Sequence, residues 1–245
     1  MDLRDFPAVV VKTFGLHNVE LLADHFRSTG KTYLQELREA AGKAGVHIVN
    51  IPVGSEGSFY APSAGERREA VNYAKHWVDI AAEVGSPSVR VHMARAAGAA
   101  PDAGRAAESL TVLAAYGADR NVVVNLENDS LVSEDAFFIA RVIDKVRNPY
   151  LHALPDFANS MLSGNAAFNY DALALLFRHA YNICHMKDSE VGSHGKLYTV
   201  NVERIFKIAE ASSGYRGYYS LEWEGRGGAY EGTRKLLEES LKSLA

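Results

Sequence analysis

The chain has 245 residues, 47% of them hydrophobic and 23% charged, with a formal net charge of −4. That is the composition of an ordinary globular protein, and its slight acidity argues against nucleic acid or an anionic membrane as partner and for a small molecule. No run nears the roughly 20 apolar residues of a membrane span, Met1-Asp2-Leu3-Arg4-Asp5 does not open a signal peptide, and the one cysteine, Cys184, excludes an internal disulfide or a cysteine zinc cage. A cytoplasmic protein stabilised by packing is expected.

In chain order, residues 5–14 come first. Val9-Val10-Val11 suits a strand, but only Gly15, Leu16 and His17 separate this segment from the next strand, and a parallel crossover takes a dozen or more residues. The segment is therefore read as a helix. Strands follow near 18–23, 46–52, 88–93, 121–127, 151–156, 181–187 and 217–223. Between them the apolar periodicity predicts helices near 31–44, 65–84, 104–117, 133–146, 170–179 and 201–211, with a last one near 229–243. Ser133, with Glu134 and Asp135, opens one helix, while Gly45, Gly85 and Gly214 stand where helices should stop.

This unbroken alternation suits one (β/α)8 barrel, which typically runs to about 250 residues as a single domain, here 1–245. Seven strands are visible where eight are needed, so the expected fold is an α/β, TIM-barrel type lacking its first β-strand. A sheet left open has two edges that invite pairing with another chain, and a homodimer is one assembly that would shield them.

Four metal-binding side chains, Glu127, Asp156, His185 and Glu222, each end a short apolar run, at separations of 29, 29 and 37 residues. A β/α unit averages about 31 residues, so ligands recurring once per unit converge at one mouth. Side chains alternate along a strand, which puts Asn125 with Glu127, His185 with Lys187, and Ser220 with Glu222 and Glu224 on one face. Three inward carboxylates would repel one another strongly, and a divalent cation resolves the repulsion. Three carboxylates and one imidazole favour Mn²⁺ or Mg²⁺, with Co²⁺ and Zn²⁺ as alternatives. Such an ion polarises the carbonyl of a hydroxy-ketone and stabilises the enediolate formed on proton removal. Glu127 and Glu222, on opposite sides of it, would serve as the acid/base pair. Lys187 either holds a substrate oxyanion or balances the charge of Asp188 or Glu222, and the two readings stand level. His92 shares a phase with Arg90 and should face the interior, where it would meet substrate hydroxyls.

The segments Leu126-Glu127-Asn128, Pro155-Asp156-Phe157-Ala158-Asn159, His185-Met186-Lys187-Asp188 and Ser220-Leu221-Glu222-Trp223-Glu224-Gly225 resemble the sugar phosphate isomerase/epimerase family, the xylose-isomerase-like TIM barrels. Asn18-Val19-Glu20-Leu21 and the stretch from Ala81 to Val91 agree. The resemblance runs from about residue 5 to 243. It implies a (β/α)8 barrel, a divalent metal on Glu127, Asp156, His185 and Glu222, the two glutamates as acid/base pair, and substrate-binding positions at Asn159 and Asp188. It leaves the substrate open among ketose epimerase, hydroxypyruvate isomerase and inosose dehydratase chemistry. The chain departs from the family at Asp129, where members often carry His, and in the loop from Ser189 to Tyr198, which lacks a glycine-rich signature.

The leading reading is a metal-dependent isomerase or epimerase of a small polyhydroxy ketone or keto acid. The alternatives are a metal-dependent lyase or dehydratase on a related polyol ketone, in which the enediolate expels a β-hydroxyl, and a truncated, non-catalytic barrel acting in binding or assembly.

Overall fold

The computed structural model describes residues 1–225 and 227–244. They form two compact units: residues 1–126 with 145–151, and residues 127–144 with the described residues from 152 onward.

The first unit begins with helix α1 (Phe6–Phe14), as expected of residues 5–14. Pro7 supplies a helical φ without needing a donor in the first turn, and Gly15 at φ 67° ends the helix, its N–H donating to Val11. Strand β1 (Asn18–Glu20), helix α2 (Lys31–Lys43) and strand β2 (His47–Val53) follow. Helix α3 (Ala64–Val84) opens on Ser63, whose Oγ accepts from the Glu66 N–H, and closes on Gly85 at φ 81°. Strand β3 (Ser88–Val91), helix α4 (Ala103–Ala118) and strand β4 (Val123–Glu127) complete the series.

Strands β1, β2, β3 and β4 lie side by side in that order, all parallel, with Glu20 opposite Asn50, Pro52 opposite Arg90, and Arg90 opposite Asn125. Each βαβ step thus lands on the neighbouring strand. Strands β3 and β4 are buried along their whole length, as the near-continuous apolar runs predict. Gly117 near the end of α4 has a packing reason: a Cβ there would lie 2.4 Å from the Val122 carbonyl, where the chain turns back into β4.

In the second unit Asp135, rather than Ser133, caps helix α5 (Ala136–Val146), its Oδ1 accepting from the N–H groups of Phe137 and Phe138. Ser133 is buried one turn earlier, so the start predicted there lies three residues too early. Strand β5 (Leu151–Leu154), helix α6 (Ala166–Phe177), strand β6 (Ile183–Met186), helix α7 (Val202–Ser213), strand β9 (Tyr218–Leu221) and helix α8 (Ala229–Leu244) match the remaining predicted elements. Bridges Ala153–Ala180 and Asp156–His185 set β5 beside β6, and β6 pairs in parallel with β9, His185 opposite Ser220.

Between β6 and α7 the structure adds what periodicity did not show. Ser189–Val191 (β7) and Leu197–Thr199 (β8) form an antiparallel hairpin, Glu190 opposite Tyr198. Three-residue strands are too short for a period of two to stand out. Gly192 is demanded by the hairpin, since a Cβ would meet the Tyr198 ring at 2.7 Å.

The core of this unit is aromatic. Phe157 meets Phe177, Phe206 and Tyr219 edge-on with ring centres 5.9–6.3 Å apart, and Cys184, Met186 and Ile205 fill the space around them. Cys184 and Trp223 both pack with this cluster. Among the described residues no helix is long and apolar enough to cross a membrane.

Candidate metal centre

Strand pairing delivers the site. The His185 N–H donates to the Pro155 carbonyl at 3.0 Å, the Phe157 N–H donates to the His185 carbonyl at 3.1 Å, and the Glu222 N–H donates to the Met186 carbonyl at 3.0 Å. These bonds align the C-terminal ends of β5, β6 and β9, and alternation turns Asp156, His185 and Glu222 to one side. Glu127 joins them from the end of β4. One ligand atom from each of Glu127, Asp156, His185 and Glu222 lies within 4.8 Å of all the others, as the recurring spacing predicted.

The geometry inside the cluster is specific. His185 Nδ1 stands 2.8 Å from Glu127 Oε1 and 3.4 Å from Glu222 Oε2, so one ring nitrogen faces both glutamates. Asp156 Oδ1 accepts from the N–H groups of Ala158 and Asn159 at 2.9 and 2.6 Å, which locks its rotamer. Asp156 Oδ2 and Glu222 Oε2 are buried and accept no hydrogen bond. Lys187 Nζ is 3.3 and 3.4 Å from those two oxygens, an ion-pair distance, while it donates to Asn159 Oδ1, Glu190 Oε2 and Glu224 Oε2 at 3.0, 2.8 and 2.9 Å. The three ammonium hydrogens are thereby used, and Lys187 is 1% exposed.

Burial dominates the electrostatics. Asp156 is fully buried, which pushes its carboxyl up to about 8; Glu222 and Glu127 add repulsion, and Lys187 and His185 offset part of it. Burial alone would lower the Lys187 ammonium, but Asp156, Glu222 and Glu190 hold it firmly protonated. Glu190 is raised by burial and by its bond to Glu224. Glu224 is lowered: burial opposes the shift, but Glu190 and Lys187 outweigh it.

A divalent ion fits this donor set. Ligand oxygens sit about 2.0–2.6 Å from such an ion, so ligand pairs spread over up to roughly twice that distance, as these are. Buried carboxylate oxygens without a donor are costly unless a cation satisfies them. With Asp156 ionised, the three ligand carboxylates outnumber the one ammonium, which Glu190 and Glu224 also share, so the cluster has an excess of negative charge that a divalent ion offsets. Glu127, Asp156, His185 and Glu222 would hold it.

The other predicted residues fall in different places. Lys187 and Asn159 lie against the ligands, Asn159 Nδ2 donating to Glu127 Oε1 at 3.4 Å. Asp188 belongs to the hairpin base: its Oδ1 accepts from the Ser189 hydroxyl at 2.7 Å and its carbonyl from the Val200 N–H. His92 is half-buried just past β3 in the first unit.

Three contributors escaped the residue-by-residue reading. Asn128 Oδ1 accepts from the Asp156 N–H at 2.7 Å while its Nδ2 donates to the Asp156 carbonyl at 3.2 Å, a two-point clamp on the ligand's backbone. Glu190 reaches Lys187 from the unforeseen hairpin. Glu224 was visible as a residue in phase with Glu222 and within the family-like segment 220–225, but with no role assigned.

A family model described as xylose isomerase-like TIM barrel matches residues 9–245. Among curated proteins, none matches the sequence significantly. Solved structures share the fold at low identity. A D-psicose 3-epimerase with D-tagatose from Clostridium cellulolyticum H10 is 15% identical with TM-score 0.73, over 100% of this chain and 92% of the other. A xylose isomerase-like TIM barrel protein from Mycobacterium smegmatis in complex with magnesium is 16% identical with TM-score 0.73, over 99% and 89%. The probable 3-DHS dehydratase of petrobactin synthesis from Bacillus anthracis is 14% identical with TM-score 0.72, over 98% and 94%.

Proposed function

This chain belongs to the xylose isomerase-like TIM barrel family, and from that premise we propose that it is a divalent-metal-dependent isomerase or epimerase of a small polyhydroxy ketone or keto acid. The observation that carries the reading is the convergence of Glu127, Asp156, His185 and Glu222 with two buried carboxylate oxygens that accept no hydrogen bond.

A bound Mn²⁺ or Mg²⁺ supplies Lewis acidity that polarises the substrate carbonyl and acidifies the neighbouring C–H. The protein's part is to hold and move the proton. Glu127 is 3% exposed and braced by His185 and Asn159, so it keeps one orientation in a site shielded from water. The Glu222 side chain is 36% exposed although its Oε2 is buried, so it is the more accessible of the two glutamates. The two glutamates come from different strand ends, β4 and β9. One removes a proton from one face of the substrate carbon, and the other returns a proton to the opposite face, which inverts the centre. Return to the adjacent carbon instead interconverts ketose and aldose.

The test is deuterium exchange. Incubated with Mn²⁺ in D₂O, the protein exchanges the proton beside the carbonyl of its substrate from a panel starting with D-fructose, D-psicose and D-tagatose. No water is lost from the product. Glu127→Gln and Glu222→Gln each lower the exchange rate by about 10²–10⁴-fold. Loss of one water from a keto acid or polyol ketone without exchange into recovered substrate assigns a dehydratase instead. Metal-loaded protein that exchanges no proton and loses no water with any member of the panel rejects the enzymatic reading for these substrates.

A further inference from the structure

Lys187 was expected either to contact substrate or to balance charge, and the structure weighs against the first role. Its ammonium is enclosed at 1% exposure, and its three hydrogens go to Asn159, Glu190 and Glu224. A substrate oxygen would have to displace one of these acceptors. What Lys187 faces instead is two of the four ligand side chains, at the oxygens that have no donor: Asp156 Oδ2 at 3.3 Å and Glu222 Oε2 at 3.4 Å. Its hydrogen bonds aim elsewhere, so its positive charge lies beside these oxygens while their lone pairs stay available.

We propose that Lys187 is a resident counter-cation of the metal site, a positioning residue that holds Asp156 and Glu222 together in the metal-free protein and weakens the grip of the site on its metal. The inference rests on the metal-dependent reading above and adds to it a reason for the metal to be exchangeable. In metal-free protein the converging acids repel one another to the extent that they are ionised, and the ammonium offsets part of that repulsion. A divalent ion held by Asp156 and Glu222 would be repelled by the same ammonium, which lies beside those ligand oxygens. Asn159 carries the arrangement to a third ligand, since it accepts from Lys187 and donates to Glu127. Glu190 and Glu224, from the β7–β8 hairpin and the segment after β9, also hold the ammonium in place.

The test uses the full chain with Mn²⁺ alone as probe, read by calorimetric titration and thermal unfolding. Lys187→Met lowers the Tm of the metal-free protein, tightens the Kd for Mn²⁺ by about tenfold or more, as removal of a unit charge a few ångströms from the ion requires, and regains most of the lost Tm when Mn²⁺ saturates. A Lys187 that merely packs would cost the same Tm with and without metal and leave Kd unchanged or weaker; either result overturns the proposal. If Lys187→Met does not fold without metal, the double variant Lys187→Met with Asp156→Asn, which removes one acid along with the ammonium, restores a folded metal-free protein, and its failure to do so overturns the proposal. Wild-type protein that takes up no Mn²⁺ rejects the metal reading and this one with it. Wild type that binds Mn²⁺ beside an indifferent Lys187→Met rejects the role of Lys187 alone.

Discussion

The strands of the first unit and the strand ends of the second arrange their buried polar groups differently. In the first unit polar side chains on adjacent strands bond to one another: Asn50 Nδ2 donates to Glu20 Oε2 at 3.1 Å, and the Ser88 hydroxyl donates to Asn50 Oδ1 at 2.7 Å, although Glu20 Oε1 is buried and accepts no hydrogen bond. Such a network fastens β1, β2 and β3 together. In the second unit Glu127, Asp156 and Glu222 converge with an excess of negative charge, and two of their oxygens accept no hydrogen bond. Buried polar atoms without a hydrogen bond occur in both units, so what separates a network that serves the fold from one prepared for a ligand is the convergence of like charges on one point. Burial by itself does not distinguish them, because Asn50 and Asp156 are both wholly buried.

The largest expected effect falls on metal uptake. Asp156→Asn removes a ligand charge at the centre of the cluster, and Mn²⁺ content after loading and desalting drops from about one equivalent to less than about a tenth, measured by elemental analysis. Uptake that survives this change would show the four residues to be an ordinary polar cluster, no different from the network around Asn50.

Next in size is a pH dependence confined to the second unit. The Asp156 carboxyl is raised from 3.8 to about 8 in the folded, metal-free protein. Between those values the folded state carries a proton that the unfolded chain has lost, so stability from this group is full below pH 3.8 and declines as pH rises towards about 8. Bound metal needs Asp156 ionised and removes the slope. The Tm gained on adding Mn²⁺ is therefore greater at pH 8 than at pH 5 in thermal unfolding. Equal gains at both pH values would contradict the raised carboxyl.

The smallest effect sharpens the comparison from the other side. Asn50→Ala leaves Glu20 and Ser88 each short of one partner and costs about 1–3 kcal/mol in denaturant unfolding. Mn²⁺ uptake stays at the wild-type level. A loss of uptake would mean that the two networks are one.

Much of this was legible along the chain. The helix at 6–14, the seven strands of the β-α alternation and the glycine stops at Gly85 and Gly214 follow from local signals: a hydrophobic period, a proline in the first turn, a positive φ that only glycine adopts freely. The four ligands could be named because each ends an apolar run, and a repeating β/α unit returns strand ends to one edge. The hairpin at Ser189–Thr199 stayed hidden because its strands are three residues each. The capping of α5 by Asp135 rather than Ser133 turned on which acceptor reaches the first free N–H groups.

The sequence by itself determined which chemical groups were available and on which face of their strands they lie, since alternation is a property of the backbone. Only tertiary structure decided how those groups share protons and partners. Lys187 was equally suited to substrate or to charge balance until folding enclosed its ammonium among Asn159, Glu190 and Glu224 and set its charge beside Asp156 and Glu222. The physical reason is that electrostatic roles depend on distance and dielectric, and residues far apart in the chain acquire both only when they are packed together.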